Sequence, residues 1–126
     1  MKAKLTYTGI RVKDLEKSIA FYTQVLGMKE VGRSTIEQSK GQAVSLVSEE
    51  GGHSLELNYY EKGSKFATDY AVGEGLDHIA FQVEDIDKFA AQASKAGHHL
   101  VLDMKTKTSR WAYIQDPNGI FIEIFA

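Results

Sequence analysis

Two acidic residues and one histidine occupy short segments whose neighbouring residues are apolar. Glu123 lies within IFIEIF, His78 begins HIAFQV, and Glu56 lies within SLELNYY. Carboxylate oxygens and imidazole nitrogens bind divalent transition metals, and a positioned carboxylate can also remove a proton as a general base. Burial of the Glu123 carboxylate in such a run would be costly unless it is paired or bound to a cation. These residue types therefore indicate a metal site, proton transfer, or both.

An internal repeat places these side chains in equivalent positions. Residues 9–27, GIRVKDLEKSIAFYTQVLG, match residues 80–97, AFQVEDIDKFAAQASKAG, with one residue fewer in the second copy. Each copy predicts a strand, then a helix with an aspartate as N-cap and a glycine after its last turn. The flanking residues are Asp14, Gly27, Asp85 and Gly97. The repeat therefore predicts that the chain consists of two modules of one design.

Short alternating runs follow each predicted helix and are typical of strands. They are MKEVGRSTI, QAVSLVS and HSLELNYY in the first copy, and HLVLD, SRWAYIQ and IFIEIF in the second. DPNG at residues 116–119 predicts the turn before the last strand. We therefore predict an α+β fold of two βαβββ modules.

The predicted domain is single and spans residues 1–126, with repeats at about 1–62 and 76–126 joined by the glycine-containing linker 61–76. One βαβββ module leaves the inner face of its curved mixed sheet uncovered, so two modules are expected to pack around a concave site. The sequence leaves open whether they pair within one chain or between two chains.

Strand parity predicts which side chains face that concavity. Successive residues of a strand alternate between its two faces, so His78 lies opposite the apolar pair Ile79 and Phe81. Tyr7 occupies the corresponding place in the first module, and Glu56 and Glu123 lie on matching strands. The repeat thus predicts one site with four corners, at Tyr7, Glu56, His78 and Glu123.

Composition excludes several other classes of function. The chain has no cysteine, which excludes disulfides, thiolate metal sites and a cysteine nucleophile. Its formal net charge of −2 gives no electrostatic reason to expect a nucleic-acid partner. No run approaches the roughly 20 apolar residues of a membrane span, and the first residues carry no apolar signal segment. We therefore expect a cytoplasmic protein without a membrane partner.

The combination of IRVKDLEKSIAFYTQVLGM, LELNYY, HIAFQV and DPNGIFIEIF resembles the vicinal oxygen chelate superfamily (glyoxalase, bleomycin resistance and dioxygenase proteins) over nearly the whole chain. Its glyoxalase I (lactoylglutathione lyase) branch is the most similar. That resemblance implies a divalent metal, nickel, cobalt, zinc or manganese, held by Glu56, His78 and Glu123. The fourth ligand position of the family, His or Gln, falls here on Tyr7, and a neutral phenol is a poor ligand.

The resemblance also implies an activity and further residues. A glyoxalase I-type lyase or isomerase converts a thiol hemithioacetal to an α-hydroxy thioester by proton abstraction and enediolate stabilisation. Glu123 would carry the proton, while Glu56 would ligate or share that work. The residues implied to bind substrate are Arg11, Asn58, Tyr60, Lys105 and Trp111. Members of this size are commonly homodimers that bind small molecules.

Three alternatives stand beside this interpretation. An acyl-thioester epimerase would use the same proton abstraction on another substrate. A bleomycin-type binding protein would hold its ligand without metal, in a groove that includes Tyr60, Trp111, Phe121 and Phe125. An extradiol dioxygenase is disfavoured, because its iron triad needs the histidine that Tyr7 replaces. The sequence does not decide whether the chain catalyses a reaction.

Overall fold

The structure is a computed structural model, which describes residues 7–37, 40–48, 52–64, 67, 69–74, 76 and 78–126. Its backbone contacts divide the chain into two compact units, residues 1–70 and 71–126. The division falls within the predicted linker, of which residues 65, 66, 68 and 75 lie outside the described part. That the two units form one domain stays a prediction.

The first module is a four-stranded mixed sheet with one helical segment. Its elements are β1 (Tyr7–Arg11), α1 (Leu15–Ala20), a π-helix (Phe21–Val25), β2 (Lys29–Ile36), β3 (Gly41–Val47) and β4 (Ser54–Tyr60). The strand order is β1-β4-β3-β2. β1 runs parallel to β4, whereas the other neighbours are antiparallel.

The second module repeats this design. Its elements are β5 (His78–Gln82), α2 (Ile86–Lys95), β6 (Leu102–Lys105), β7 (Arg110–Gln115) and β8 (Phe121–Phe125). The order β5-β8-β7-β6 again contains one parallel pair, β5 with β8. The predicted α+β class and the two βαβββ modules with mixed sheets are confirmed.

The helix ends follow the residues that the sequence indicated. The Asp14 carboxylate accepts a hydrogen bond from the Lys17 amide at 3.0 Å, and Asp85 accepts one from Lys88 at the same distance. Side-chain acceptors at the N-cap satisfy amides that have no partner within the helix. Gly27 and Gly97 have positive φ, as expected at helix C-termini. Within the described residues, no helix is long and apolar enough to span a membrane.

The helix of the first module changes form where the sequence carries its additional residue. The sequence predicts one helix that ends before Gly27, but α1 gives way to the π-helix at Phe21. The stretch from Asp14 to Gly27 is one residue longer than that from Asp85 to Gly97. A π-helical turn, with its wider i→i+5 bonding, accommodates such an extra residue.

The strand predicted over residues 99–103 begins later than expected. The backbone amide of His98 donates to the Ala93 carbonyl at 2.9 Å, so the chain is still bonded to α2 at this point. Val101 then pairs with Tyr113, and β6 follows as Leu102–Lys105. β6, which ends at Lys105, is an edge strand of the second sheet.

Alternate strand residues and one face of each helix form the buried core of each module. In the second module these residues are Ile86, Phe89, Ala93, Ala112, Ile114, Ile122 and Ile124. In the first they include Ile10, Leu15, Ile19, Val44, Leu46 and Leu57. Most of the candidate site residues lie on the opposite faces of the two sheets.

The DPNG turn before β8 is organised by a buried carboxylate. Asp116 is 5% exposed, and its Oδ1 accepts the backbone amides of Asn118 and Ile120, each at 2.8 Å. Its Oδ2 accepts the side-chain amide of Asn118, also at 2.8 Å. These bonds fix the point at which the chain enters β8, and with it the register of Glu123.

We expect Asp116→Ala to destabilise the protein by about 1–3 kcal/mol, because buried donors lose their acceptor. The exposed neighbour Gln115 provides the matched control, and Gln115→Ala should change the free energy of unfolding by less than about 0.5 kcal/mol. Urea unfolding of both variants measures the difference. Equal stabilities for the two variants would show that the turn does not depend on the carboxylate.

Candidate functional site

β5 and β8 place His78 and Glu123 on one face of the second sheet. Ala80 pairs with Glu123 and His78 with Phe121, so residues 78, 80, 121 and 123 share a face. Nε2 of His78 lies 3.0 Å from Oε2 of Glu123. The two side chains are 36% and 23% exposed, so the half-buried carboxylate is paired and also remains accessible.

Aromatic rings surround this pair. Tyr113 lies across from Glu123 on β7, and its ring meets the His78 imidazole edge to face, with centroids 5.9 Å apart at 86°. Phe121 meets Tyr113 in the same way, at 6.2 Å and 85°. Sequence reasoning did not select Tyr113, although the alternation of SRWAYIQ places it on the face of Trp111.

The first module carries Tyr7 and Glu56 in the same register relation. Tyr7 pairs with Ser54, and Gly9 pairs with Glu56, as His78 and Ala80 pair with their partners on β8. Tyr7 is 52% exposed and Glu56 is half-buried. The backbone therefore repeats the arrangement of the second module, with a phenol at the position of the imidazole.

Asn58 lies next to Glu56 on this face because Gly9 leaves space for it. The Asn58 side-chain nitrogen donates to the Glu56 carbonyl at 3.3 Å and approaches the Ile10 carbonyl at 3.5 Å. A Cβ atom at Gly9 would lie 2.9 Å from that nitrogen, closer than real contacts allow. The missing side chain at residue 9 thus sets the position of the Asn58 amide.

Arg11 ends β1 on the same face and lies near a second cation. The Tyr70 ring has the Lys13 ammonium 4.8 Å from its centroid and the Arg11 guanidinium carbon at 6.0 Å. Both distances are within the range of cation–π attraction. Sequence reasoning did not select Tyr70, since its linker position carries no periodic signal.

Two further candidates take different positions in the second module. Trp111 pairs with Phe125 on the Glu123 face, and all three side chains line a groove of about 560 Å³. Lys105 pairs with Arg110 and therefore lies on the opposite face. The structure brings Trp111 to the Glu123 face but not Lys105. Tyr60, the last residue of β4, is half-buried on the Glu56 face.

The face that carries Lys105 is an ion-pair surface. The Arg110 guanidinium donates to Asp87 and to Asp103, each at 2.9 Å. Its hydrogen bonds hold the pKa of both carboxyl groups below the usual value, and the positive charge of Lys105 adds to this effect. Because Arg110 on β7 bonds to Asp103 on β6 and to Asp87 on α2, we assign these groups a structural role that joins the three elements.

The model of the glyoxalase/bleomycin resistance protein/dioxygenase superfamily matches residues 4–124. A probable lactoylglutathione lyase from Vibrio parahaemolyticus is 32% identical over 127 residues, covering 96% of this chain and 88% of that protein. The chain belongs to this superfamily. A lactoylglutathione lyase from Neisseria meningitidis is 31% identical over 124 residues, covering 95% and 88%.

Solved structures agree with this membership of the glyoxalase superfamily. The trypanothione-dependent glyoxalase I of Leishmania major is 32% identical and aligns with a TM-score of 0.76, covering 98% of this chain and 86% of that chain. A glyoxalase I mutant from Zea mays aligns with a TM-score of 0.81 at 26% identity, covering 97% and 44%. The predicted resemblance to glyoxalase I proteins is confirmed.

The donor atoms that the second module brings together are of the types that bind divalent cations. Imidazole nitrogen and carboxylate oxygen suit nickel, cobalt, zinc and manganese. The 3.0 Å between His78 Nε2 and Glu123 Oε2 is the distance of an ion pair, and it keeps one nitrogen donor and one oxygen donor side by side. Among the described residues, no group of three or more such side chains is gathered for a metal. The pair therefore offers two ligands.

Proposed function

We propose that this chain is a metal-dependent lyase or isomerase of the glyoxalase I type that acts on a thiol hemithioacetal. The observation that carries the proposal is the 3.0 Å approach of His78 Nε2 to Glu123 Oε2 on an accessible sheet face. The similarity to lactoylglutathione lyases over 95–96% of the chain supports the reaction type. The inclusion of Glu56 as a third ligand rests on the family resemblance.

Glu123 is the proposed route of the proton. Its carboxylate would take the proton from the carbon that bears the hydroxyl and sulfur and return it to the neighbouring carbonyl carbon. With the hydroxyl proton passing to the former carbonyl oxygen, the hemithioacetal becomes an α-hydroxy thioester, and no oxidant or further reactant is needed. Glu56 would ligate or share the proton transfer. Partial burial strengthens these polar interactions.

A divalent cation held by Glu56, His78 and Glu123 would supply Lewis-acid stabilisation of the charge on the enediolate oxygens. The family resemblance implies Tyr7 at the fourth ligand position, which a neutral phenol would leave to solvent or substrate. Three protein ligands are sufficient in many catalytic metal sites. The replacement of the family's His or Gln by Tyr7 therefore fits a weaker metal site with an additional open position.

The remaining proposed roles concern substrate binding. Arg11 would meet a carboxylate of the thiol, and Asn58 and Tyr60 share the Glu56 face. Trp111 would contact the substrate from the Glu123 groove. A role for Lys105 stays a prediction, because it lies on the other face of the second sheet. We propose a small-molecule substrate and a homodimer, as the family resemblance implies.

The experiment that tests this proposal combines metal analysis with an activity panel. Purified protein is dialysed and its metal content measured, and it is then assayed on hemithioacetals of glutathione and trypanothione and on acyl thioesters. We expect a near-stoichiometric divalent ion and α-hydroxy thioester formation. Epimerisation of acyl thioesters alone would replace the lyase with an epimerase. Absence of both metal and turnover would overturn the proposal.

Tyr7→His should strengthen metal binding. An imidazole at this position restores a neutral nitrogen ligand, so we expect the dissociation constant for Co²⁺ or Zn²⁺ to fall about tenfold or more, at least about 1.4 kcal/mol. Tyr7→Phe is the matched control, which removes the hydroxyl without adding a ligand and should leave the affinity within about threefold. Isothermal titration measures both. Unchanged affinity in Tyr7→His would show that residue 7 does not face the metal.

Gly9→Ala should impair substrate binding through Asn58. The added Cβ would displace the Asn58 amide, and loss of one substrate hydrogen bond of about 1 kcal/mol raises KM about fivefold. Gly32→Ala is the control, because a Cβ there meets nothing within 4 Å. Kinetics and the NMR signals of the Asn58 side-chain amide report the change. An unchanged KM with a displaced amide would remove Asn58 from the binding site.

A second candidate function is non-catalytic binding of a small molecule. Phe121 is 41% exposed, and Trp111, Tyr113 and Phe125 are half-buried on the same sheet face, which suits an aromatic or apolar ligand. Tyr7 in place of a metal ligand also favours this candidate. Tight binding of an apolar antibiotic by metal-free protein, without turnover of any hemithioacetal, would support it over the lyase.

A further inference from the structure

His78 is the more exposed member of the pair on the second sheet. It occupies the first position of β5, and its side chain is 36% exposed, so burial alone does not fix the rotation of its ring. His78 presents its ring nitrogen to a metal or a substrate in one direction only if the rotation of the imidazole is restricted. Side chains that pack against the imidazole can provide that restriction.

The Tyr113 ring provides such a restriction. It lies 5.9 Å from the imidazole, centroid to centroid, at 86°, an edge-to-face arrangement that is attractive for aromatic rings. Tyr113 is also the backbone partner of Glu123 across β7 and β8. One residue is therefore fixed by the sheet beside the carboxylate and packs directly on the imidazole.

Phe121 packs against Tyr113 in turn. Their rings are 6.2 Å apart at 85°, and Phe121 is the backbone partner of His78 on β8. The three rings thus form a series, Phe121 to Tyr113 to His78, that ends at the pair of donor atoms. Both contacts are made between the edge of one ring and the face of another, so the aromatic ring of Tyr113 is the part that restricts the His78 imidazole.

We propose that Tyr113 is a positioning residue that holds the imidazole of His78 with Nε2 directed at Glu123. This inference rests on the proposed function, because the orientation of His78 matters most where it binds a metal. An edge-to-face aromatic pair contributes enough to change a dissociation constant by up to about tenfold when it is lost. Tyr113 would act through packing, not through direct contact with the metal.

The test compares Co²⁺ affinities of the full chain by visible absorption titration. We expect Tyr113→Leu to raise the dissociation constant about tenfold, whereas Tyr113→Phe, which retains the ring, stays within about threefold of the wild type. Phe121→Leu should give a smaller increase in the same direction. Tyr59→Leu, on the helix-facing side of the first sheet, is the control for loss of a tyrosine. Equal affinity of Tyr113→Leu and wild type would overturn the proposal.

A second measurement separates this inference from the proposed function. In metal-free protein, NMR couplings and NOEs should show one His78 rotamer in contact with the Tyr113 ring in the wild type and in Tyr113→Phe. In Tyr113→Leu and Phe121→Leu the rotamers should average. Failure of the wild type to bind Co²⁺ would count against the proposed function alone. A single unchanged His78 rotamer in Tyr113→Leu would overturn the positioning role.

Discussion

Glu123→Gln should lower kcat on the hemithioacetal about 10²–10⁴-fold, the usual contribution of a positioned general base. Glutamine has the size of glutamate and can still accept a hydrogen bond from His78, so the fold should be retained. It cannot take up the proton at the reacting carbon. Steady-state kinetics at saturating substrate measure kcat, and thermal unfolding verifies that the variant is folded.

Glu84→Gln provides the matched control for this loss of charge. Glu84 is exposed and lies just beyond β5 in the same module. We expect its kcat to remain within about twofold of the wild type. If Glu123→Gln retained more than about one tenth of the wild-type kcat, the proton would be carried by another group. Glu56→Gln would then be the next variant to assay.

Ile122→Ala should produce the largest loss of stability, about 2–5 kcal/mol. Ile122 is fully buried and directly precedes Glu123 in β8, with its side chain on the core face of the sheet. Its truncation leaves a cavity beneath the strand that carries the carboxylate. A natural domain has only about 5–15 kcal/mol of stability in total, so this loss is substantial.

Ile122→Val and Phe121→Ala are the controls for the effect of Ile122→Ala. The smaller truncation to valine should cost about 0.5–1.5 kcal/mol. Phe121 is 41% exposed on the opposite face, so its replacement should change stability much less than Ile122→Ala. Denaturant unfolding compares the three variants. A loss below about 1 kcal/mol for Ile122→Ala would mean that the core around β8 repacks fully.

The repeat in the sequence predicted the modules well because its signals are local. Asp14 and Asp85 mark helix starts, and Gly27 and Gly97 mark helix ends, through hydrogen bonds and backbone conformation that need few distant residues. Alternating strands likewise placed His78 and Glu123 on one face. Strand parity does not predict how close their donor atoms lie. The structure shows that these atoms are 3.0 Å apart.

Other features depend on packing between segments that are distant in sequence. The extra residue before Gly27 was visible as a gap in the repeat, yet its conversion into a π-helical turn depends on how the helix packs. The placement of Lys105 depends on where β6 begins, which the His98 bond to α2 delays. Tyr113 acquires its contact with His78 only through the pairing of β7 with β8 and of β8 with β5.

The most direct test measures turnover of the hemithioacetal of methylglyoxal and glutathione by wild-type protein, with and without metal. Formation of the α-hydroxy thioester is monitored by the absorbance of the thioester. We predict turnover by protein loaded with Ni²⁺, Co²⁺, Zn²⁺ or Mn²⁺, loss after chelation, and recovery when the metal is restored. The proposed glyoxalase I-type activity would be contradicted if folded, metal-loaded protein formed no thioester from glutathione or trypanothione hemithioacetals.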